Sequence, residues 1–180
     1  MAYAGDCRVA GHLELTGERL TDMLNDEPTV SLRDVLLESL EDGRLLEMAE
    51  MELHREELFA VEALGPRGQA SRRLRTRPHR MQISLGPYIV LGQLHIFPGA
   101  DPMNSMLRRG PMVPLTNATV AYSIGGQTIM RDVATLIVNR ELADWINPTA
   151  QEHLIFPDTP ILTPPPGAYM AKDLTGTLSG

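Results

Sequence analysis

Val9-Ala-Gly11-His-Leu13-Glu-Leu15 and Val90-Leu-Gly92-Gln-Leu94-His-Ile96 are two versions of one strand pattern. In both stretches apolar residues alternate with other residues around a central glycine, as is typical of a half-buried strand. The same landmarks follow each stretch in the same order: Met23-Leu24 and Met106-Leu107, Val30 and Val113, Asp42-Gly43 and Gly125-Gly126. One small unit is therefore duplicated, which favours a binding or scaffolding surface over a single catalytic cleft.

Each copy is predicted to consist mostly of strands. In the first copy we expect strands over 8–15, 29–40, 44–53 and 58–64, a short helix over 18–25, and a 3₁₀ turn before the last strand. Composition alone favours a helix over Arg44–Leu58, because Glu, Met and Leu are frequent there. The second copy is rich in Ile, Val and Thr at the same place, over Gln127–Val138, so we predict a strand in both copies.

Five short strands with a 3₁₀ turn before the last resemble small β-barrels of the SH3-like and Sm-like kind. The opening of the first copy, Gly11-His-Leu13 followed by Gly17-Glu-Arg-Leu-Thr-Asp-Met-Leu-Asn25, also resembles uncharacterised small bacterial domains. In the second copy, Gly99-Ala-Asp-Pro-Met-Asn-Ser-Met-Leu107 keeps only the outline of this motif. The resemblance implies a fold and no particular activity.

The predicted architecture is therefore mainly β, with two tandem small β-barrels of about five strands each and a short helical turn after the first strand. We expect the first barrel over residues 1–64, an Arg-rich linker over 65–86, the second barrel over 87–148 and an extended arm over 149–180. The arm is Pro-rich, and prolines such as those at 164–166 prevent a regular helix or a central strand.

Length and cysteine content restrict the class of protein. The chain has 180 residues and a single cysteine, which excludes a disulfide framework and fits a reducing compartment. No apolar run reaches the length of a membrane span, and the first residues do not resemble a secretory signal. We therefore expect no transmembrane segment and a cytoplasmic location, including the periphery of a membrane on its cytoplasmic side.

Charge is distributed unevenly along the chain. Residues 1–63 hold sixteen acids and five arginines, whereas residues 64–81 hold six arginines and no acid. The acidic first half repels the phosphates of nucleic acid, and aromatic residues for base stacking make up only 4% of the chain. We therefore expect other protein subunits as partners, with anionic lipid headgroups as a second class of contact and nucleic acid disfavoured.

The sequence contains no pattern typical of an active site. It lacks the Gly-x-Ser-x-Gly nucleophile motif, and Cys7 has only His12 near it. The His-x-x-x-His and Cys-x-x-Cys spacings of metal sites are also absent. We expect no enzyme activity, no catalytic residue, no metal and no cofactor.

The Arg-rich linker gives the strongest single signal for a binding site. Guanidinium groups suit carboxylates, phosphates and lipid headgroups, and the predicted contacts are Arg72, Arg73, Arg75, Arg77 and Arg80. Arg73-x-x-x-Arg77 also resembles the loop with which PilZ domains bind a cyclic dinucleotide. The rest of that motif is incomplete, since Ser123-Ile-Gly-Gly126 supplies Ser and Gly while Ala121 stands where Asp or Asn belongs. A regulator that binds a cyclic dinucleotide or RNA is the alternative function.

The Pro-rich arm is predicted to fasten the chain to neighbouring subunits. An extended segment loses little conformational entropy when it docks. The predicted contact residues are Ile161, Leu162, Pro164, Pro165, Tyr169 and Met170. These observations favour a non-catalytic accessory or scaffolding subunit that stabilises a larger complex, with a membrane-associated photosynthetic or respiratory complex as the expected host.

Overall fold

A computed structural model describes residues 1–15, 19–64, 75–149 and 167–170 of the chain. Its strands form one antiparallel sheet of eleven strands. They are β1 (Ala2–Ala4), β2 (Cys7–Leu13), β3 (Thr29–Ser39), β4 (Leu45–His54), β5 (Leu58–Glu62), β6 (Arg77–Leu85), β7 (Tyr88–Ile96), β8 (Met112–Ile124), β9 (Gln127–Asn139), β10 (Trp145–Pro148) and β11 (Tyr169–Met170). The helical elements are α1 (Leu20–Asp26), α2 (Pro102–Leu107) and 3₁₀ turns at Arg55–Glu57 and Arg140–Leu142.

The duplication of the sequence corresponds to a duplicated strand order. β1 to β5 form the first repeat unit, in the spatial order β5-β1-β2-β3-β4, and β6 to β10 form the second, in the order β10-β6-β7-β8-β9. In each unit a helix follows the second strand and a 3₁₀ turn precedes the fifth. The registers also agree, because Val9 pairs with Leu37 in the first unit and Val90 pairs with Val120 in the second.

Both units bend at the equivalent position of their third strand. Asp34 and Asn117 have φ angles of 51° and 46°, in the left-handed region that Asp and Asn tolerate better than most residues. The bend interrupts the alternation of side chains, so that Leu32 and Val35, three positions apart, are both buried. Each third strand can therefore face its core on both sides of the bend.

The sheet does not close into barrels. Within the described residues it ends in β4 on one side and β11 on the other. β5 uses one edge for β1 and its second edge for β9 of the other unit, so the first unit cannot close through a pairing of β5 with β4. The prediction of a mainly β fold is confirmed, whereas the predicted pair of closed barrels is corrected to one open antiparallel sheet.

Two strands of the repeat units lie outside the predicted pattern. The strand predicted over 44–53 is confirmed as β4, and the helix predicted over 18–25 corresponds to α1. β1 precedes the first predicted strand, and β6 lies within the range predicted as the Arg-rich linker. Each repeat unit thus begins one strand earlier than the sequence indicates.

Two apolar cores lie on opposite faces of β9. Leu136 and Val138 belong to the larger core, which comes mostly from the second unit, whereas Ile137 belongs to the core of the first unit. All three side chains are fully buried. A strand that is buried on both faces requires consecutive apolar residues, which explains the run from 136 to 138.

Candidate partner-binding edge

β4 forms the outer strand at one end of the sheet. It pairs with β3 over most of its length, from the His54–Thr29 pair to the Leu45–Glu38 pair. On its other side, no strand of the described ranges pairs with it. The outer edge of β4 therefore presents backbone N–H and C=O groups that an added strand could bind.

The side chains of β4 make this edge acidic and partly apolar. Glu47, Glu50 and Glu52 are exposed, and Leu45 and Leu46 are 59% and 55% exposed. Carboxylates on an edge strand oppose addition of an apolar or acidic strand. The edge therefore suits a strand that carries basic residues together with an apolar side chain or two.

The turn that leads into β4 is fixed by the second unit. The backbone N–H of Gly125, in the turn between β8 and β9, donates to the carbonyl of Leu40 over 3.0 Å. Within the turn before β4, the N–H of Arg44 donates to the carboxylate of Asp42 over 3.0 Å, and this bond lowers the pKa of Asp42. The turn at the start of the open edge is thus fixed by hydrogen bonds.

An edge of the same kind is already occupied inside the molecule. β9 is the fourth strand of the second unit, as β4 is of the first, and it pairs with β5 of the first unit. The paired residues are Ala60 with Val138, Val61 with Ile137 and Glu62 with Leu136. The two units are therefore joined by the addition of a fourth strand of one to a fifth strand of the other.

A buried carboxylate reinforces this junction. Glu62 of β5 is 4% exposed, and its carboxylate accepts hydrogen bonds from the Tyr3 hydroxyl over 2.7 Å and from Nη2 of Arg131 over 3.2 Å. Nε of Arg131 lies 2.8 Å from the same carboxylate and forms an ion pair with it. Arg131 lies on β9, so the ion pair crosses between the units. The bond to Glu62 raises the pKa of Arg131, and burial together with the bond to Glu62 raises the pKa of Tyr3.

Tyrosine side chains pack across the same junction. The rings of Tyr3, Tyr88 and Tyr122 have centroids 5.3 to 5.9 Å apart. The hydroxyl of Tyr88, in the second unit, donates to the carbonyls of Ala4 and Cys7, in the first unit, over 2.7 and 2.9 Å. Burial raises the pKa of Tyr88. The tyrosines thus tie the β1–β2 hairpin to the second unit.

The structure describes three of the five predicted linker arginines. Arg72 and Arg73 lie outside the described residues. Arg75 is exposed ahead of β6, Arg77 is the exposed first residue of β6, and Arg80 is half-buried within the same strand. Arg77 and Arg80 are therefore strand residues of the second unit, and they extend from its sheet rather than from a separate linker.

The two described parts of the PilZ-like motif lie far apart. Arg77 pairs with Ile96 at the end of β7. Ser123 lies near the start of β7, since Ile89 pairs with Ala121 two residues before it. β7 has nine residues, and the separation along it is roughly 25 Å. Arg77 and Ser123 are therefore not placed to hold one small ligand.

Of the predicted arm contacts, the structure describes Tyr169 and Met170. Ile161, Leu162, Pro164 and Pro165 lie outside the described residues. Tyr169 and Met170 form β11, which pairs with β10 in antiparallel orientation, and Tyr169 remains 43% exposed. This part of the arm adds a strand to the chain's own sheet.

Other sites in the described part of the chain offer little chemistry. No three His, Cys, Asp or Glu side chains are grouped there as a metal site requires. Burial raises the pKa of the Cys7 thiol, which disfavours a nucleophilic thiolate. No described helix has the length and apolar character needed to cross a membrane.

An apolar groove of about 560 Å³ lies between β2, α1 and β5. Its lining includes Leu15, Arg19 and Leu64, which are the immediate neighbours of segments outside the described ranges.

The residues that distinguish the two fourth strands carry no recognisable motif. Glu52 on β4 and Ile137 on β9 are equivalent, because their neighbours Leu53 and Val138 pair with the equivalent residues Val30 and Val113. Alignment of the two repeats is the one sequence signal that could have found them. Comparisons of the chain with protein-family models, curated proteins and solved structures found no match.

Proposed function

We propose that the chain is a non-catalytic accessory or scaffolding subunit, and that it stabilises a larger protein assembly by accepting a partner's strand on the outer edge of β4. The observation that carries this proposal is the contrast between two equivalent strands. β9 is filled by strand pairing with β5, while the outer edge of β4 is left unpaired among the described residues. Strand addition gives affinity through backbone hydrogen bonds and specificity through alternate side chains.

The partner strand is basic in this proposal. Glu50 and Glu52 lie in the C-terminal half of β4, and both side chains are exposed. Cationic side chains of the partner strand opposite them would form favourable cross-strand pairs. Leu45 and Leu46, at the other end of β4, would be covered by apolar side chains of the partner. Opposite charges also raise the rate of encounter between the two proteins.

A second part of the proposal concerns the fold of each unit and the assembly to which the chain belongs. We propose that each unit is an opened relative of the small SH3-like or Sm-like barrels, supported by the shared five-strand order and the 3₁₀ turn before each fifth strand. The host would be a membrane-associated photosynthetic or respiratory complex. The exposed Arg75 and Arg77 would then face acidic protein or anionic headgroups.

The alternative function, a regulator that binds a cyclic dinucleotide or RNA, has less support from the geometry. Arg77 and Ser123 lie at opposite ends of β7, so the described parts of that motif do not converge. The acidic β4 edge would in addition repel a phosphate-bearing ligand.

Affinity purification of the full-length chain from its native cells tests the scaffolding proposal. Glu50→Lys combined with Glu52→Lys should release the partner subunits, because it replaces attraction by repulsion at the docking edge. Asp22→Lys combined with Asp26→Lys is the matched control, since it makes the same change in charge at exposed positions of α1. Retention of the same subunits by the β4 variant would refute docking at β4.

A further inference from the structure

β10 is the counterpart of β5 in the second unit. The equivalence follows from the register with the first strand of each unit, in which Ala60 pairs with Tyr3 and Trp145 pairs with Ser84. One position further, Val61 is equivalent to Ile146. Both fifth strands have one edge against their own first strand and a second edge turned away from it.

β11 occupies on β10 the place that β9 occupies on β5. On β5, Val61 pairs with Ile137 and Ala60 with Val138. On β10, Ile146 pairs with Tyr169 and Trp145 with Met170, also in antiparallel orientation. Tyr169 therefore stands where a fourth strand would place the equivalent of Ile137, and Met170 where it would place the equivalent of Val138.

The junction between the two units can in principle be repeated between copies of the chain. It joins a fifth strand to a fourth strand, so it is a head-to-tail contact that leaves one unused surface of each kind. The unused fourth strand is β4 and the corresponding fifth strand is β10. Contacts of this type produce rings or filaments unless the free ends are blocked.

The side chains of β4 do not fit β10 as those of β9 fit β5. In the register of the internal junction, Glu52 of one copy would lie opposite Ile146 of the next. Ile137, the equivalent of Glu52, is fully buried in the core of the neighbouring unit, and Ile146 is fully buried as well. A carboxylate placed there without a partner would carry a large desolvation penalty.

We propose that β10 is a second strand-acceptor edge whose complement is the fourth strand of another copy, and that β11 and Glu52 together keep this edge closed to copies. β11 fills the edge from within the chain, and Glu52 makes the competing strand unsuitable. Copies of the chain consequently do not join head to tail. This inference does not depend on the proposed function, because it concerns only contacts between copies.

The experiment measures the mass of the full-length chain by sedimentation over a wide range of concentration. Tyr169→Pro and Met170→Pro together prevent β11 from donating backbone hydrogen bonds, and Glu52→Ile restores the residue type of the internal junction. The triple variant should self-associate, with a mass that rises with concentration from 19.9 kDa to about two or more monomer masses. The wild type and the variants with only one of the two changes should remain monomeric.

Glu47→Ile with the same two prolines is the matched control. It adds the same apolar side chain to β4, but position 47 lies beyond the four residues of β10 in this register, so this control should stay monomeric. Circular dichroism establishes that each variant is folded, and Glu52→Val replaces Glu52→Ile if the latter fails to fold. A folded triple variant that stays monomeric would overturn the proposal, as would head-to-tail association of the wild type.

Discussion

β4 and β9 occupy the same position in the two repeat units, yet one is an open edge and the other lies in the middle of the molecule. On β9, Ile137 enters the core of the first unit and is fully buried. On β4, Glu52 takes the equivalent position and is exposed. The comparison teaches that this position of the fourth strand carries an apolar residue where the strand joins another unit and a carboxylate where the strand faces solvent.

The largest expected effect comes from giving β9 the residue of β4. Ile137→Glu would place an unpaired carboxylate in the core of the first unit, and we expect a loss of more than about 4 kcal/mol in the free energy of unfolding, or no folded protein. The reverse change on β4, Glu52→Ile, is at an exposed position and should alter stability by about 0.5 kcal/mol or less. Denaturant unfolding of both variants measures the difference, and similar losses would break the comparison.

The second-largest difference in stability is expected between alanine substitutions of Gly92 and Gly11, the glycines that face the bends of the two units. A Cβ on Gly92 would lie 2.9 Å from the Cβ of Leu115, whereas a Cβ on Gly11 would lie 3.3 Å from the Cβ of Leu32. Gly92 is also buried and Gly11 exposed. Gly92→Ala should therefore cost about 1–3 kcal/mol of stability, as overpacking of a core does, and more than Gly11→Ala. Thermal unfolding that ranked the two variants in the opposite order would show that the second unit is the looser one.

Tyr88 offers a smaller test of the junction. Tyr88→Phe leaves the carbonyls of Ala4 and Cys7 without the hydroxyl that now donates to both, and we expect a loss of about 1–2 kcal/mol. Tyr169→Phe is the control, since Tyr169 is 43% exposed. Equal stability of the Tyr88 variant and the wild type in denaturant unfolding would mean that the hydroxyl does not hold the hairpin.

The same tyrosines predict how stability depends on alkaline pH. Burial raises the folded-state pKa of Tyr3 and Tyr88 above the ordinary value of 10.0. Above about pH 10 the unfolded chain therefore loses phenolic protons that the folded chain retains, and stability falls as pH rises. Below that pH the contribution is fully present. The fall measured for the wild type should be smaller in Tyr88→Phe, and an unchanged pH profile would contradict the assignment.

Sequence alternation predicted most individual strands, because each half-buried strand has its own local pattern. β1 was not predictable in this way, since Ala2-Tyr3-Ala4 is short and becomes buried only through contacts with distant residues. Arg77 and Arg80 likewise give β6 the composition of a linker, although Met81, Ile83 and Leu85 are fully buried.

The candidate edge depended on information that local sequence does not contain. Whether a fifth strand closes on its own unit or accepts a strand from another is decided by pairing between distant residues, which explains why closed barrels were expected and an open sheet is found. The contrast between Glu52 and Ile137 is present in the sequence, but it acquires meaning only when the register of both repeats is known.

Amide hydrogen exchange of β4 tests the central claim most directly. The free chain and the chain purified within its native assembly would be compared, with residues 136–138 of β9 as the internal reference because they are paired on both sides. Docking of a partner strand predicts that outward-facing amides of β4 exchange quickly in the free chain and become protected in the assembly, while residues 136–138 of β9 are protected in both. Equally rapid exchange of β4 in the assembly would contradict the account.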